Sequence, residues 1–191
     1  MKVQYTKKEM VALARLTLGF GHSRDDVELV QTDGPDVDSL LAGLTRRWYL
    51  WLMDTAPLQM LCVAPVAGAM IAYGNYEGGG TEVTLPAACR RCVSVVFPGW
   101  GAEAVPLPPQ RLDEVTARQL NPYTAATDAR PVAVMRGDGR SVHCWPTLPA
   151  GRPATIAVRG VADTGEDIYE FDESAMATLA PYLHQHYKPF D

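Results

Sequence analysis

The chain has 191 residues, 47% of them hydrophobic, and a formal net charge of −5. That length suits one domain able to bury about 70% of its unfolded surface, so the core needs no disulfide or metal staple. The acidic balance excludes a free-standing nucleic-acid binder, which needs clustered Lys and Arg, although such a chain can line a passage through which DNA slides without sticking.

The first ten residues, MKVQYTKKEM, have no apolar run of the signal-peptide kind. Thr6-Lys7-Lys8-Glu9 fits a capping box and opens a helix predicted over 6–18, with Met10, Leu13, Ala14 and Thr17 at helical spacing and Gly19 as its stop. A polar stretch over 22–36 follows, with a turn signal at Asp33-Gly34-Pro35. The second helix, predicted over 38–56 and capped by Asp36 or Asp38, carries an apolar stripe of Leu41, Leu44, Trp48, Trp51, Leu52 and Thr55. Trp48 and Trp51 are both read as core, Arg46 faces away from the stripe, and Pro57 ends the helix.

Helical periodicity then gives way to a β-rich part over 63–161. Its apolar opening, 58–73, is broken by Pro65 and Gly68 and is too short to span a membrane. Strands are expected near 63–73 and 81–85, with a flexible tip between them at 75–80, and again at 92–97, where the run is β-branched. Pro98-Gly99-Trp100-Gly101 breaks that run, and the proline-dense 105–109 reads as an edge strand or extended loop. A short helix is expected over 113–120. Residues 131–136 and 140–145 read as a β-hairpin around Gly137-Asp138-Gly139, and 155–161 as a further strand. A last helix is predicted over 172–187, with Asp172 as cap and Pro181 forcing a kink or restart. Helices at both ends around short strands argue for a single α+β domain over 1–191, with a central antiparallel sheet.

Candidate chemistry is sparse. Cys89-Arg90-Arg91-Cys92 has metal-ligand spacing, and the arginines favour a thiolate, but one such pair is half a structural zinc site. His143-Cys144 completes a set only if folding brings it close; otherwise the cysteines, Cys62 included, are thiols that pack as small apolar groups. His184 and His186 point about 200° apart on a helix and cannot chelate together. Gly78-Gly79-Gly80 lacks phosphate-loop spacing, and Arg136-Gly137-Asp138 reads as turn chemistry. Acidic residues from Asp163 to Glu173 fit no calcium loop and read as a solvated loop and helix N-terminus. No catalytic residue, cofactor site or metal site is assigned. Trp100, in a Pro-Gly-Trp-Gly loop that buries a large side chain with difficulty, is the leading interface candidate, followed by Trp145 and Tyr123.

Four pieces in order resemble the neck proteins of tailed bacteriophages, the head–tail connector, ring and tail-accessory proteins that include those of gut Bacteroides phages. They are a helix running from Trp48 into Ala56-Pro57-Leu58 with Leu61 beyond, and a strand entering a Leu-Pro turn and an apolar strand, Val83-Thr84-Leu85-Pro86-Ala87-Ala88-Cys89-Arg90-Arg91-Cys92-Val93-Ser94-Val95. Gly99-Trp100 comes next, then Gln119-Leu120-Asn121-Pro122-Tyr123 before Arg130-Pro131-Val132-Ala133-Val134. The match covers about 40–160 and departs from the pattern at Ala88 and Cys89, where an acidic residue and an aromatic are expected. The resemblance implies a virion structural protein, assembled in the bacterial cytoplasm. It would form a ring homo-oligomer joined to portal or tail proteins, with DNA only in transient passage and no membrane. Two other readings stay open: a small zinc-dependent or thiol enzyme using Cys89, Cys92, His143 and Cys144, and a non-viral β-rich adaptor.

Overall fold

The computed structural model describes residues 1–19, 37–72, 79–147 and 156–187. The expected turn at 33–35, the cap at Asp36 and most of the flexible tip at 75–80 lie outside them. The class is α+β, with helices and largely antiparallel sheets. Where the sequence suggests one domain, the chain divides into two compact units: Met1–Cys62 with Asp163–Asp191, and Val63–Ala162 inserted between them. No helix among the described residues is long and apolar enough to cross a membrane.

The first unit begins with a strand that the sequence reading missed, β1 (Lys2–Thr6), leading directly into α1 (Lys7–Thr17). Thr6 ends the strand and caps the helix: its Oγ1 accepts from Glu9 N at 3.3 Å, and its own N–H donates to Glu9 Oε2 at 2.7 Å. That reciprocal pair satisfies two donors that a helix start otherwise leaves open. Helix α2 (Val37–Thr55) ends ahead of Pro57, and a 3-10 turn, Leu58–Met60, follows.

The second missed strand of this unit lies in the acidic stretch read as solvated loop. Strand β10 (Ile168–Asp172) pairs antiparallel with β1, in register from Lys2↔Asp172 to Thr6↔Ile168. Tyr169 and Phe171 alternate with Glu170 and Asp172, so one face is buried and the other is polar. Phe171 meets Trp48 edge-on at 5.2 Å between centroids, and Trp48 Nε1 donates to Thr178 Oγ1 at 3.0 Å. Asp163 holds the Arg46 guanidinium in a part-buried ion pair. The predicted last helix divides, as Pro181 requires. A 3-10 segment, Glu173–Thr178, starts at the Asp172 cap, and α4 (Leu179–His186) then places Pro181 in its first turn, where no backbone N–H is needed.

The second unit holds β2 (Val63–Pro65), β3 (Met70–Ala72), β4 (Thr81–Thr84), β5 (Cys89–Val96), β6 (Pro106–Leu107), α3 (Leu112–Gln119), β7 (Val132–Met135), β8 (Ser141–Trp145) and β9 (Ala157–Ala162). They form two sheets, ordered β2-β9-β5 and β3-β4-β8-β7-β6. The pairings are antiparallel except that between β6 and β7, which is parallel; β6, with its proline, lies at the sheet edge as its composition requires. Both sheets contribute to one core of Val83, Val95, Phe97, Val142, Cys144 and Val158. On β7 the side chains alternate between two clusters. Ala133 belongs to that core, and Val134 packs with Val115 of α3 and Trp145. Helix α3 therefore covers the other face of the five-stranded sheet. The expected hairpin is β7–β8, closed by Arg136 N donating to Ser141 O at 2.8 Å and by Gly139 at φ +65°. In the middle of its sheet, β9 carries Gly160, where a Cβ would lie 2.5 Å from the Arg91 carbonyl oxygen, so only glycine lets the two strands come this close.

Candidate protein–protein interface

The three residues expected at an interface part company in the fold. Trp100 is buried, contrary to the expectation of an exposed loop tryptophan. Gly99 adopts φ +98°, and Trp100 N donates to Phe97 O at 3.1 Å, so Pro98-Gly99 forms a tight turn that folds the indole inward. The ring meets Phe97 edge-on, with centroids 4.7 Å apart. Its Nε1 is enclosed without a hydrogen-bond partner. Trp145 is likewise interior, 2% exposed, packed with Val115 and Val134 and stacked on His143 at 4.3 Å. Neither indole is offered to a partner surface.

Tyr123 is 98% exposed. It stands on the turn that ends α3, and Leu120 beside it is 66% exposed. The turn is stapled by its own polar groups. Asn121 Oδ1 accepts from Tyr123 N at 3.0 Å, and Thr124 Oγ1 donates to Arg118 O at 2.9 Å. Gln119 reaches both ways, donating from Nε2 to Val115 O at 3.1 Å and accepting Ala126 N at Oε1 at 2.8 Å. Ala126 in turn packs against the cluster under α3. An exposed aromatic on a turn already held in place loses little conformational freedom when a partner covers it.

One aromatic surface was missed. Trp51, read as core, is 41% exposed, with Tyr182 at 5.4 Å and His186 a further 4.3 Å along the row. On α2 it lies about 60° from Trp48 around the helix axis, whereas Tyr49 lies about 100° to the other side. Tyr49 is the one buried, because its hydroxyl has backbone partners. It donates to Glu170 O at 3.2 Å and accepts from Glu170 N at 3.1 Å. The helical spacing alone contained that choice only as an ambiguity at the stripe's edge.

The thiols and the imidazole lie on opposite faces of β8. Side chains alternate along a strand, so Cys144 enters the core with Val142 while His143 and Trp145 face the other way. His143 Nε2 lies 3.2 Å from Gly79 O. Cys89 and Cys92 pack against the core that contains Cys144. Burial pushes the thiol of Cys89 up, that of Cys92 up to about 12 with a further push from Cys89, and that of Cys144 up as well, with a contribution from Cys92. The neighbouring arginines do not offset this at Cys89 and Cys92, where a thiolate was expected, and all three side chains pack with the apolar core. Among the described residues no group of three or more His, Cys, Asp and Glu side chains is placed to hold a metal ion. No protein-family model matches the chain, and no curated protein matches it.

Proposed function

We propose that this chain is a structural subunit of a tailed-phage neck, added to a portal or tail ring in several copies through protein–protein contacts. The observation that carries the reading is Tyr123, 98% exposed on a turn fixed by side-chain hydrogen bonds. A surface aromatic prepared in this way is contact chemistry. The ordered motifs support it by where they fall. The Ala56-Pro57-Leu58 piece lies where α2 gives way to a 3-10 turn. Leu85-Pro86 lies at the β4–β5 turn, where Cys89 N donates to Pro86 O, and Arg130-Pro131-Val132 leads into β7. Junction residues set how elements meet, and a ring subunit repeats that geometry at every heterologous contact. The net charge of −5 suits a wall past which DNA moves without being held.

Electron microscopy of the purified chain mixed with a portal ring from the same genome tests this. Rings or decorated portals are expected. Tyr123→Ala is expected to weaken the association at least about 30-fold, as loss of an interface anchor does. The same change should leave the melting temperature within about 1 °C, because the side chain packs against little of its own fold. A chain that stays monomeric and joins no particle, or a source genome with neither portal nor capsid genes, refutes the proposal.

A further inference from the structure

We infer that the outer edge of β1 pairs with the same edge of a second copy, antiparallel and about a two-fold axis at Val3, so that two β1–β10 ribbons join into one continuous sheet. This inference does not rest on the phage reading, because a two-fold contact closes a pair and does not by itself make a ring.

The backbone of β1 shows which of its groups are open. Glu173 N donates to Met1 O at 2.8 Å, and Lys7 N donates to Asp167 O at 2.9 Å, so the odd-numbered residues from Met1 to Lys7 face β10. Successive residues of a strand turn their N–H and C=O to opposite sides, which aims those of Lys2, Gln4 and Thr6 away from β10. Thr6 has spent its own: its N–H is donated to Glu9 Oε2 at 2.7 Å, and as the helix cap its C=O takes the first bond of α1. The open groups are therefore those of Lys2 and Gln4, and among the described residues no strand pairs with β1 on that side. A two-stranded ribbon with an open edge gains stability from a further strand.

The spacing of these groups fixes the partner and the register. With Lys2 opposite Gln4 of the second copy, and Gln4 opposite its Lys2, every open N–H meets an open C=O. Setting Gln4 opposite Gln4 instead brings Lys2 against Thr6, whose groups are spent. The side chains agree with the first register. Each Lys2 lies beside a neutral Gln4 rather than beside another Lys2. On the other face Val3 meets Val3, with Cβ atoms about 5 Å apart. Met1, 82% exposed, comes opposite Tyr5, whose ring stacks on Phe171 at 5.7 Å between centroids and is partly exposed. A contact confined to strand edges buries less than a standard interface, so the dimer is weak and reversible.

Sedimentation equilibrium of the full-length chain between about 1 and 500 µM provides the test, with a monomer–dimer Kd on the order of 50 µM expected. Exchange of the Gln4 amide should slow as the concentration rises. Gln4→Pro removes an edge donor that does not face β10, so the β1–β10 pairing should persist while the dimer weakens at least about tenfold. Gln4→Glu places a carboxylate opposite Lys2 of the second copy and should tighten the dimer at least about threefold at low salt. Gln4→Lys should weaken it by a similar factor, although within one copy the new lysine faces Glu170 and should raise the melting temperature. These opposite signs decide the register even if Gln4→Pro does not fold. The inference is overturned if the chain stays monomeric throughout, if Gln4→Pro folds and dimerises as before, or if Gln4→Lys dimerises as tightly as Gln4→Glu. It is equally overturned if the chain stays monomeric and Gln4→Pro instead loses association with a portal ring, since the edge would then hold another protein.

Discussion

Trp100 carries an unusual balance for a buried aromatic. Its ring fills the core beside Phe97, yet its indole N–H is enclosed without a partner. Truncation to alanine removes the packing and leaves a cavity, with an expected cost of about 3–5 kcal/mol. Trp100→Phe removes the orphan donor together with part of the area, and a buried donor left unpaired is itself costly. The loss for phenylalanine should thus be less than half that for alanine, as measured by chemical denaturation of both variants. His143 supplies a second residue-level expectation. Burial disfavours its imidazolium, and Arg136 adds to this; the Gly79 carbonyl and Glu82 pull the other way without prevailing, so the group titrates below its ordinary 6.5. The unfolded chain then takes up the proton first. The contribution is constant above pH 6.5 and is lost as pH falls below it, toward the folded-state value. Unfolding free energy measured from pH 8 to pH 5 should decline through that window, and the decline should shrink in His143→Leu.

Among the elements, the β1–α1 junction shows how one residue serves two structures. Thr6 closes the pairing with Ile168 and then caps α1. Thr6→Ala keeps the strand register, because backbone pairing is unchanged, but leaves Glu9 N without its acceptor. A fall of about 2–4 °C in melting temperature is expected, and Thr6→Ser should recover most of it. The capping box was legible in the sequence because its signal is local, four residues long and specific. Strand β1 was not read, although Lys2-Val3-Gln4-Tyr5-Thr6 alternates, because five alternating residues carry no weight until a partner is known. That partner, β10, is 162 residues further on, from Thr6 to Ile168, and its alternation was hidden among carboxylates that suggested solvent.

For the molecule as a whole, Val63–Ala162 enters and leaves through neighbouring strands. Val63 of β2 pairs with Val161 of β9, so the two ends of that unit lie side by side. Insertions with adjacent ends and their own core are the kind that fold alone. Residues 63–162 expressed by themselves should give dispersed amide NMR signals and one cooperative unfolding transition. The flanking segments, joined by a short Gly-Ser linker in place of 63–162, should retain the β1–β10 pair, read from the slow amide exchange of Val3 and Phe171. Collapse of both pieces to disordered spectra would show that the two units depend on one another.

What the amino-acid order determined by itself was the set of features whose cause is local. These are the capped first helix, α2 with its stop at Pro57, the Gly-Asp-Gly hairpin and the edge placement of a proline-dense strand. Each follows from periodicity or turn geometry over a few residues. Only the tertiary structure decided which aromatic faced inward, because burial depends on what lies across the core. Trp100 turned in at Gly99, Tyr49 displaced Trp51 by finding the Glu170 backbone, and Cys144 parted from His143 on opposite faces of β8. Strand pairing across 160 residues and the insertion of one unit within another were out of reach for the same reason: no short window of sequence contains both partners of a long-range contact.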